Sequence, residues 1–462
     1  MAGPRVIVVG AGPAGVRAAQ TLVEAGLRPI MIDEGRRDGG QIYRRQPEGF
    51  ARSYPQLYGT EAQKAKDLHD SFESLRPHID YRPETLAWNL TAGQLHVVTG
   101  GERAAVLPYD SLIVCSGATD RLLPVEGWQY AGCYSLGAAQ IALKSQACSI
   151  GKRVVFMGTG PLLYLVASQY VKAGAQVAAV LDTSPRSTRM KALPALAARP
   201  AVLWHGLKLV AMLRSAGVPL LSGISPIAVT GDDERGVNGV RVRDAQGHEH
   251  SFECDAVGLG YHLRSESQLA DLAKCQFDFD RPSRQWLPRI DEDGRSSVVG
   301  IYLAGDGTRI LGADGAEAAG RLAALAALKD AGRLHAAGEM PRLRERLATM
   351  DKFRRGLLQA FPWPHQLASQ LPDRAIVCRC EGVSAGDLRT TVRDLGAQEM
   401  NRAKALCRVG MGRCQGRYCG HAAAELVADA ARVPIEEVGR LRGQGPVKPL
   451  PMSMPLAVGE HA

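Results

Sequence analysis

Long apolar runs are missing from this 462-residue chain: nowhere do about 18 apolar residues follow one another, so no membrane-spanning helix is predicted. Aromatic residues make up only 5%, and no basic block is interleaved with them, which leaves no base-stacking platform and excludes nucleic acid as the expected partner. Acid is in short supply too. Lys+Arg 56 against Asp+Glu 47 gives a formal charge of +9, a sign that suits anionic cofactors, acidic partner proteins or an anionic membrane surface without choosing among them. Met1 to Arg5 run straight into Val6-Ile-Val-Val9, too short a lead for a secretory signal core. The expected address is cytoplasmic, with peripheral attachment to the inner face of the membrane left open. What is present is globular material, 45% apolar and 22% charged, long enough for about three domains.

The β-branched run 5–9 meets Gly10-Ala-Gly12-Pro13-Ala14-Gly15, and a helical pattern follows over 16–25. Strand, glycine turn and helix in that order make a diphosphate cradle, with the helix N-terminus supplying amides and a positive dipole end. A second strand over 29–32 ends at Asp33-Glu34, about 20 residues on, where a carboxylate should hold ribose hydroxyls. Of the two, Glu34 is preferred. Further pieces resemble segments of two-dinucleotide-fold flavoproteins, which implies FAD: Gly39-Gly40-Gln41-Ile-Tyr43 is similar to the loop that passes the flavin ring there, Gly117 to the glycine turn after the returning strand, and Gly305-Asp306 to the late turn whose aspartate holds the ribityl chain. The small-residue helix after Gly312 would pack its N-terminus close to the flavin.

A second strand–turn–helix lies between these pieces, with Gly158-Thr-Gly160-Pro-Leu-Leu163 as its turn and Asp182 ending the next strand. Leu163 stands where the third glycine or alanine belongs, and its bulk should spoil close packing over a pyrophosphate. Gly158, Gly160 and Asp182 therefore mark an altered nucleotide site or a structural relic, with NADH favoured over NADPH because Asp182 would oppose a 2′-phosphate. No Cys-x-x-Cys lies beside the flavin segments, so dithiol chemistry has no residues to run on. Cys115, Cys133, Cys148, Cys254 and Cys275 read as small packed side chains, and His262 as a turn residue.

The other cysteines crowd one late segment. Cys378-Arg-Cys380 and Gly410-Met-Gly-Arg-Cys414-Gln-Gly-Arg-Tyr-Cys419 place two pairs on either side of a predicted helix over 384–395. Four thiolates hold either zinc or a 2Fe-2S cluster; the C-x-C and C-x4-C spacings and the glycines around the second pair favour the cluster. Cys407 reads as packing and His421 as a weaker ligand. Between 332 and 373 a basic helix precedes Pro362 and Pro364, either a solvated face or a dock for an acidic partner. The expected division is 1–119 with 286–330 for FAD, 120–285 for the inserted nucleotide fold, 331–375 for the basic linker, 376–440 for the cluster and 441–462 for a Pro-rich tail.

Together these segments resemble the flavoprotein subunit of opine oxidases, D-hydroxyproline dehydrogenases and hydrogen cyanide synthase, and the late domain is similar to bacterioferritin-associated ferredoxin. The resemblance implies an α/β protein with two dinucleotide-binding domains and a small helical 2Fe-2S domain. It also implies an electron-transferring subunit of a heteromeric dehydrogenase acting on C–N bonds of amines or amino acids. Its partner would be a D-amino-acid-oxidase-like flavoprotein, with room for a small third subunit, and its acceptor a quinone. Relatives of this kind leave a place for an adenine nucleotide, ATP or NADH, in the second fold and for FMN between subunits. The competing readings are a stand-alone NADH-dependent reductase and a redox-sensing module without turnover.

Overall fold

The computed structural model describes residues 3–333 and 336–451. A five-stranded parallel sheet runs in the order Ile301–Leu303, Ser111–Val114, Val6–Val9, Ile30–Ile32, Asp80–Arg82. Val6–Val9 is buried along its whole length, as a β-branched strand flanked on both sides must be. The helices Pro13–Glu24 and Ala313–Asp330 cross over this sheet so closely that a Cβ on Gly320 would stand 1.9 Å from the Ala14 carbonyl oxygen. The Ala- and Gly-rich composition of the later helix is thus a packing requirement.

The inserted domain repeats the plan, with parallel strands in the order Leu220–Ser222, Gln176–Asp182, Arg153–Thr159, Ala256–Tyr261, Cys133–Ser135. An antiparallel pair, Ala118–Asp120 with Leu263–Ser265, carries the chain out and back. The return therefore comes earlier than the expected boundary at 285. The physical reason is the short helix Gln268–Leu272, whose Leu269, Ala270 and Leu272 pack with Ile7 and Val9 in the first domain's core.

The basic linker is a docked strut. Helix Met340–Ala360 packs on helix Arg186–Leu196, where a Cβ on Gly356 would meet that of Ala195 at 2.9 Å. Three of its arginines are engaged within the chain: Arg344 with Asp293 at 2.8 Å, Arg354 with Asp280 at 3.1 Å and with Asp351 at 2.7 Å, and Arg355 with Asp351 at 2.9 Å. The C-terminal domain has its own core, from Leu371 through Val377, Leu388, Met400 and Leu426 to Val438. Helix Ala385–Leu395 begins at Ser384, whose hydroxyl accepts from the Asp387 amide. Trp128 Nε1 donating to the Ile376 carbonyl at 2.6 Å fastens this domain to the inserted one, and Arg284–Glu425 at 2.6 Å fastens it to the segment that follows the return. The tail lies on the first domain, Val447 N donating to the Trp88 carbonyl at 3.0 Å; beyond Pro451 the predicted Pro-rich stretch lies outside the described residues. Among the described residues no helix is long and apolar enough to cross a membrane.

Candidate functional site

In the first fold the glycine turn is dictated by contact. A Cβ on Gly15 would stand 1.7 Å from the Gly10 carbonyl oxygen, and one on Gly10 2.4 Å from that of Cys115. Helix Pro13–Glu24 has no side-chain cap at Gly12 and no acid in its first turn, so its free amides and positive dipole end face the crevice uncompensated. The strand before the two acids ends at Ile32, whose carbonyl accepts from Gly10 N at 2.8 Å. The next side chain, Asp33, therefore turns back over the motif and accepts from Ala11 N and Gly35 N, each at 2.6 Å. Burial pushes its pKa up, against those two amides. Glu34 points the other way, is exposed, and pairs with Lys448. The geometry thus puts Asp33, in place of the preferred Glu34, beside the turn.

The loop Gly39 to Tyr43 folds onto the same turn. Gly39 N donates to the Ala11 carbonyl at 2.9 Å, and a Cβ on Gly40 would come within 2.9 Å of Gly12 Cα. Gln41 is exposed and accepts from Arg44 at 2.7 Å. Gly305 brings the late turn against Ala14, and Asp306 Oδ1 accepts from Leu311 N at 2.9 Å and Gly312 N at 3.1 Å. The other Asp306 oxygen has no protein partner among the described residues, and burial pushes its pKa up to about 6. Gly117 stands at the end of the neighbouring strand with open space where a Cβ would be. Gly12, Gly117 and Asp306 thus share the crevice at the carboxyl ends of adjacent parallel strands, where such sheets bind ligands. This donor set fits FAD.

Two cations at this loop escaped the sequence reading. Arg44 has a buried Nε without a partner, in the field of Asp33 and Glu34. Lys144 is 5% exposed, donates to the Ile42 carbonyl at 3.2 Å, and is pushed down to about 8 by burial and then by Arg44. Arg44 was open to discovery, standing just after the Gly-Gly-Gln motif; nothing local marked Lys144, which arrives from another domain.

The second turn is as tight as the first, a Cβ on Gly158 falling 1.7 Å from the Gly260 carbonyl oxygen, and Gly160 faces the His262 ring. Leu163 is wholly buried among Phe156, Val166 and Tyr170, so its bulk is taken into the core behind the turn. Asp182 departs from the expectation of a ribose ligand. It is fully buried, and both oxygens are spent: Oδ2 accepts from Tyr164 at 2.7 Å and Arg189 at 2.6 Å, Oδ1 from the amide and hydroxyl of Ser184 at 2.7 Å each. The end of the bridging helix, Met340–Ala360, lies over this network, with the Phe361 ring 5.0 Å from the Arg189 guanidinium and Thr188 Oγ1 donating to the Ala360 carbonyl at 2.8 Å. His262 Nε2 donates to the Phe361 carbonyl, and burial pushes its pKa down to about 4, so the imidazole is neutral and placed for packing. Hydroxyls of Thr159, Thr183 and Tyr261 remain buried and unpartnered nearby. A neutralised carboxylate beside free hydroxyls is an altered site, unsuited to gripping a ribose diol through Asp182.

The four predicted thiols come together. Cys378, Cys380, Cys414 and Cys419 line one cavity of about 220 Å³, which Trp128 and Tyr134 also line. No trio of His, Cys, Asp or Glu side chains among the described residues converges as a single-ion site. The Cys378 and Cys414 sulfurs beside Cys419, together with burial, push the Cys419 thiol well above the usual thiol value. The Cys419 thiol and the amides of Gly410 and Glu381 bring Cys378 down to about 6; the same thiol with the amides of Tyr418 and Gly416 brings Cys414 down to about 5. Sulfur atoms surrounded by amide donors are what a cluster with charged sulfurs requires. Cys407 donates to the Ala403 carbonyl at 3.1 Å within its own helix and stays out of the cavity.

A short bonded route joins the two centres. Glu266 N donates to the Gly117 carbonyl at 3.0 Å, Arg417 Nε donates to Glu266 Oε2 at 2.8 Å, and Arg417 Nη1 donates to the Cys414 carbonyl at 3.3 Å. Burial alone would raise Glu266, but Arg264 and Arg417 hold it below the usual carboxylate range. On the other side Asp120, three residues past Gly117, accepts from Ser135 at 2.6 Å, and Ser135 lines the cysteine cavity.

Comparison with known proteins fits this arrangement. The pyridine nucleotide-disulphide oxidoreductase family model matches residues 4–321, and that of the BFD-like [2Fe-2S] binding domain matches 376–429. The A subunit of opine oxidase from Rhizobium meliloti is 36% identical over 96% of this chain and 86% of its own length. Hydrogen cyanide synthase subunit HcnB of Pseudomonas protegens is 30% identical over 97% of this chain and 96% of its own. Among solved structures, L-proline dehydrogenase from P. horikoshii superposes with a TM-score of 0.69 at 19% identity, covering 98% of this chain and 79% of that one.

Proposed function

The chain belongs to the pyridine nucleotide-disulphide oxidoreductase family, in the group that includes the A subunit of opine oxidase, and carries an FAD oxidoreductase fold with a C-terminal 2Fe-2S domain; on that premise we propose that it is the electron-transferring subunit of a heteromeric dehydrogenase that oxidises an amine or amino-acid derivative. The observation that carries this reading is the bonded continuity from Gly117 through Glu266 and Arg417 to Cys414. When bound, FAD exchanges electrons in pairs and the cluster singly, which makes the couple a converter between two-electron donors and one-electron acceptors.

Gly12, Ala14 and Gly15 would present amides to the FAD pyrophosphate over the tight turn that Gly10 and Pro13 shape, Gly10 N donating instead to the Ile32 carbonyl; Asp33 would accept from the adenosine ribose, and the free oxygen of Asp306 from the ribityl chain. Gly40, Gln41 and Gly117 leave room for the ring. Cys378, Cys380, Cys414 and Cys419 hold the cluster, and the Glu266–Arg417 pair fixes the two sites relative to each other. On this reading amine oxidation falls mainly to a partner, a D-amino-acid-oxidase-like flavoprotein, with a quinone as terminal acceptor. An FMN held between subunits, together with a small third one, would belong to that assembly. For NADH, or ATP bound in a dinucleotide-like way, the Asp182 network offers no ribose contact, and no step runs through the second fold.

Tagged chain purified from its own host is expected to bring down a flavoprotein partner, and amine-dependent reduction of a quinone analogue is expected only from the pair. Full turnover by this chain alone, with an amine or with NADH, would overturn the assignment.

A further inference from the structure

Between Asp182 and Asp232 the chain has no Asp or Glu, yet it has Arg186, Arg189, Lys191, Arg199, Lys208 and Arg214. Most of this stretch folds as two successive surface helices, Arg186–Leu196 and Pro200–Ser215. Their inner faces are occupied: Ala192 and Leu196 pack on Phe353 and Ala360 of the bridging helix, and Leu213 packs in the core behind the second sheet. Their outer faces are apolar as well. Met190 is 72% exposed, Leu193 49%, Trp204 60% and Leu207 54%. A spacing of three residues puts each pair on one side of its helix. Five of the thirteen exposed large apolar side chains among the described residues fall within 190–207, so the exposure is concentrated here.

The charges on this surface are uncompensated. Arg189 is taken by Asp182 and Arg199 by Asp314. Arg186, Lys191, Lys208 and Arg214 pair with no carboxylate among the described residues, and the Lys208 ammonium lies 5.7 Å from the centre of the Trp204 ring. We propose that this helical pair docks the protein on an anionic phospholipid surface, with Met190, Leu193, Trp204 and Leu207 entering the headgroup boundary and the four free cations meeting lipid phosphates. An acidic protein would satisfy the charge, but protein interfaces exclude lysine from their centres. Here Lys208, one turn on from Trp204, carries its ammonium over the exposed indole, the arrangement in which a long stem lies along an apolar side chain and raises its ammonium group to the headgroups. This inference is independent of the electron-transfer reading.

The test is sedimentation of the full, cofactor-loaded chain with vesicles of phosphatidylcholine containing phosphatidylglycerol, beside vesicles of phosphatidylcholine alone. Binding is expected on the anionic vesicles only, weakening as salt rises, with a blue shift of tryptophan emission that Trp204→Phe removes. The double charge reversal Lys191→Glu with Lys208→Glu is expected to lower binding at least about tenfold, and Trp204→Ser with Leu207→Ser to lower it comparably, with flavin absorbance and melting temperature unchanged. Absence of binding, equal binding to neutral vesicles, or full binding by the charge-reversed protein would overturn the proposal. So would variants that lose a copurifying protein while still sedimenting with lipid.

Discussion

The two dinucleotide folds of this chain start from the same local plan and end in opposite states. In both, a buried strand meets a glycine turn that admits no Cβ, with 1.7 Å to a carbonyl oxygen at Gly15 and at Gly158. The difference lies in the acid after the second strand. Asp33 spends its hydrogen bonds on amides of the turn and its own loop, whereas Asp182 is locked by Tyr164, Arg189 and Ser184 beneath the end of the bridging helix. Fold alone therefore does not confer a nucleotide site: each Asp33 oxygen takes a single amide and keeps acceptor capacity, whereas each Asp182 oxygen already takes two donors.

The sharpest way to separate the two folds is to exchange the residue at the third motif position. Gly15→Val would drive a side chain into the Gly10 carbonyl, and the purified protein is expected to carry no flavin by absorbance. Leu163→Ala, its counterpart, opens a core cavity and is expected to cost about 2–5 kcal/mol of stability by denaturant titration with flavin content unchanged. Next in size, Cys378→Ser or Cys419→Ser is expected to abolish the iron–sulfur absorption and the amine-to-quinone activity of the assembled enzyme while the flavin bands remain. Flavin loss in the cysteine variants would mean that the two centres are not independently held.

The acids give the intermediate effect. Asp33→Ala removes a charge-assisted hydrogen-bond acceptor and is expected to weaken FAD retention by about tenfold or more, against about twofold or less for Glu34→Ala, which removes only an exposed ion pair. Asp182→Ala strands the partly buried Arg189 and is expected to destabilise the protein by about 3–5 kcal/mol without changing FAD retention.

The smallest effect is one of pH. Asp306 titrates at about 6 when folded, above its ordinary 3.8, so between those values the folded apoprotein holds more proton than the unfolded chain and its stability falls as pH rises through that window. The melting temperature of apoprotein is expected to climb from pH 7 toward pH 5 relative to Asp306→Asn. FAD should flatten the difference, because a ribityl hydroxyl donating to Asp306 favours the ionised form.

What the sequence disclosed follows the range of its interactions. The turns at Gly10 to Gly15 and Gly158 to Gly160, and the four thiols, are local patterns whose chemistry shows in their spacing, and the structure gathers the thiols as expected. Asp33 and Glu34 are adjacent acids; only the direction in which the strand leaves Ile32 tells them apart. Arg189, Phe361 and Lys144 act on segments far away in the chain, and helix periodicity says nothing about where such side chains land. The early return at Leu263–Ser265 was hidden because the apolar residues of helix Gln268–Leu272 suit either domain until packing chooses.

The central claim, that this chain relays electrons from a partner and takes none from a reduced nicotinamide, is tested most directly by an anaerobic visible spectrum of the purified protein before and after NADH is added. The account predicts that the oxidised flavin and iron–sulfur bands stay unchanged; bleaching within the time of a turnover would contradict it.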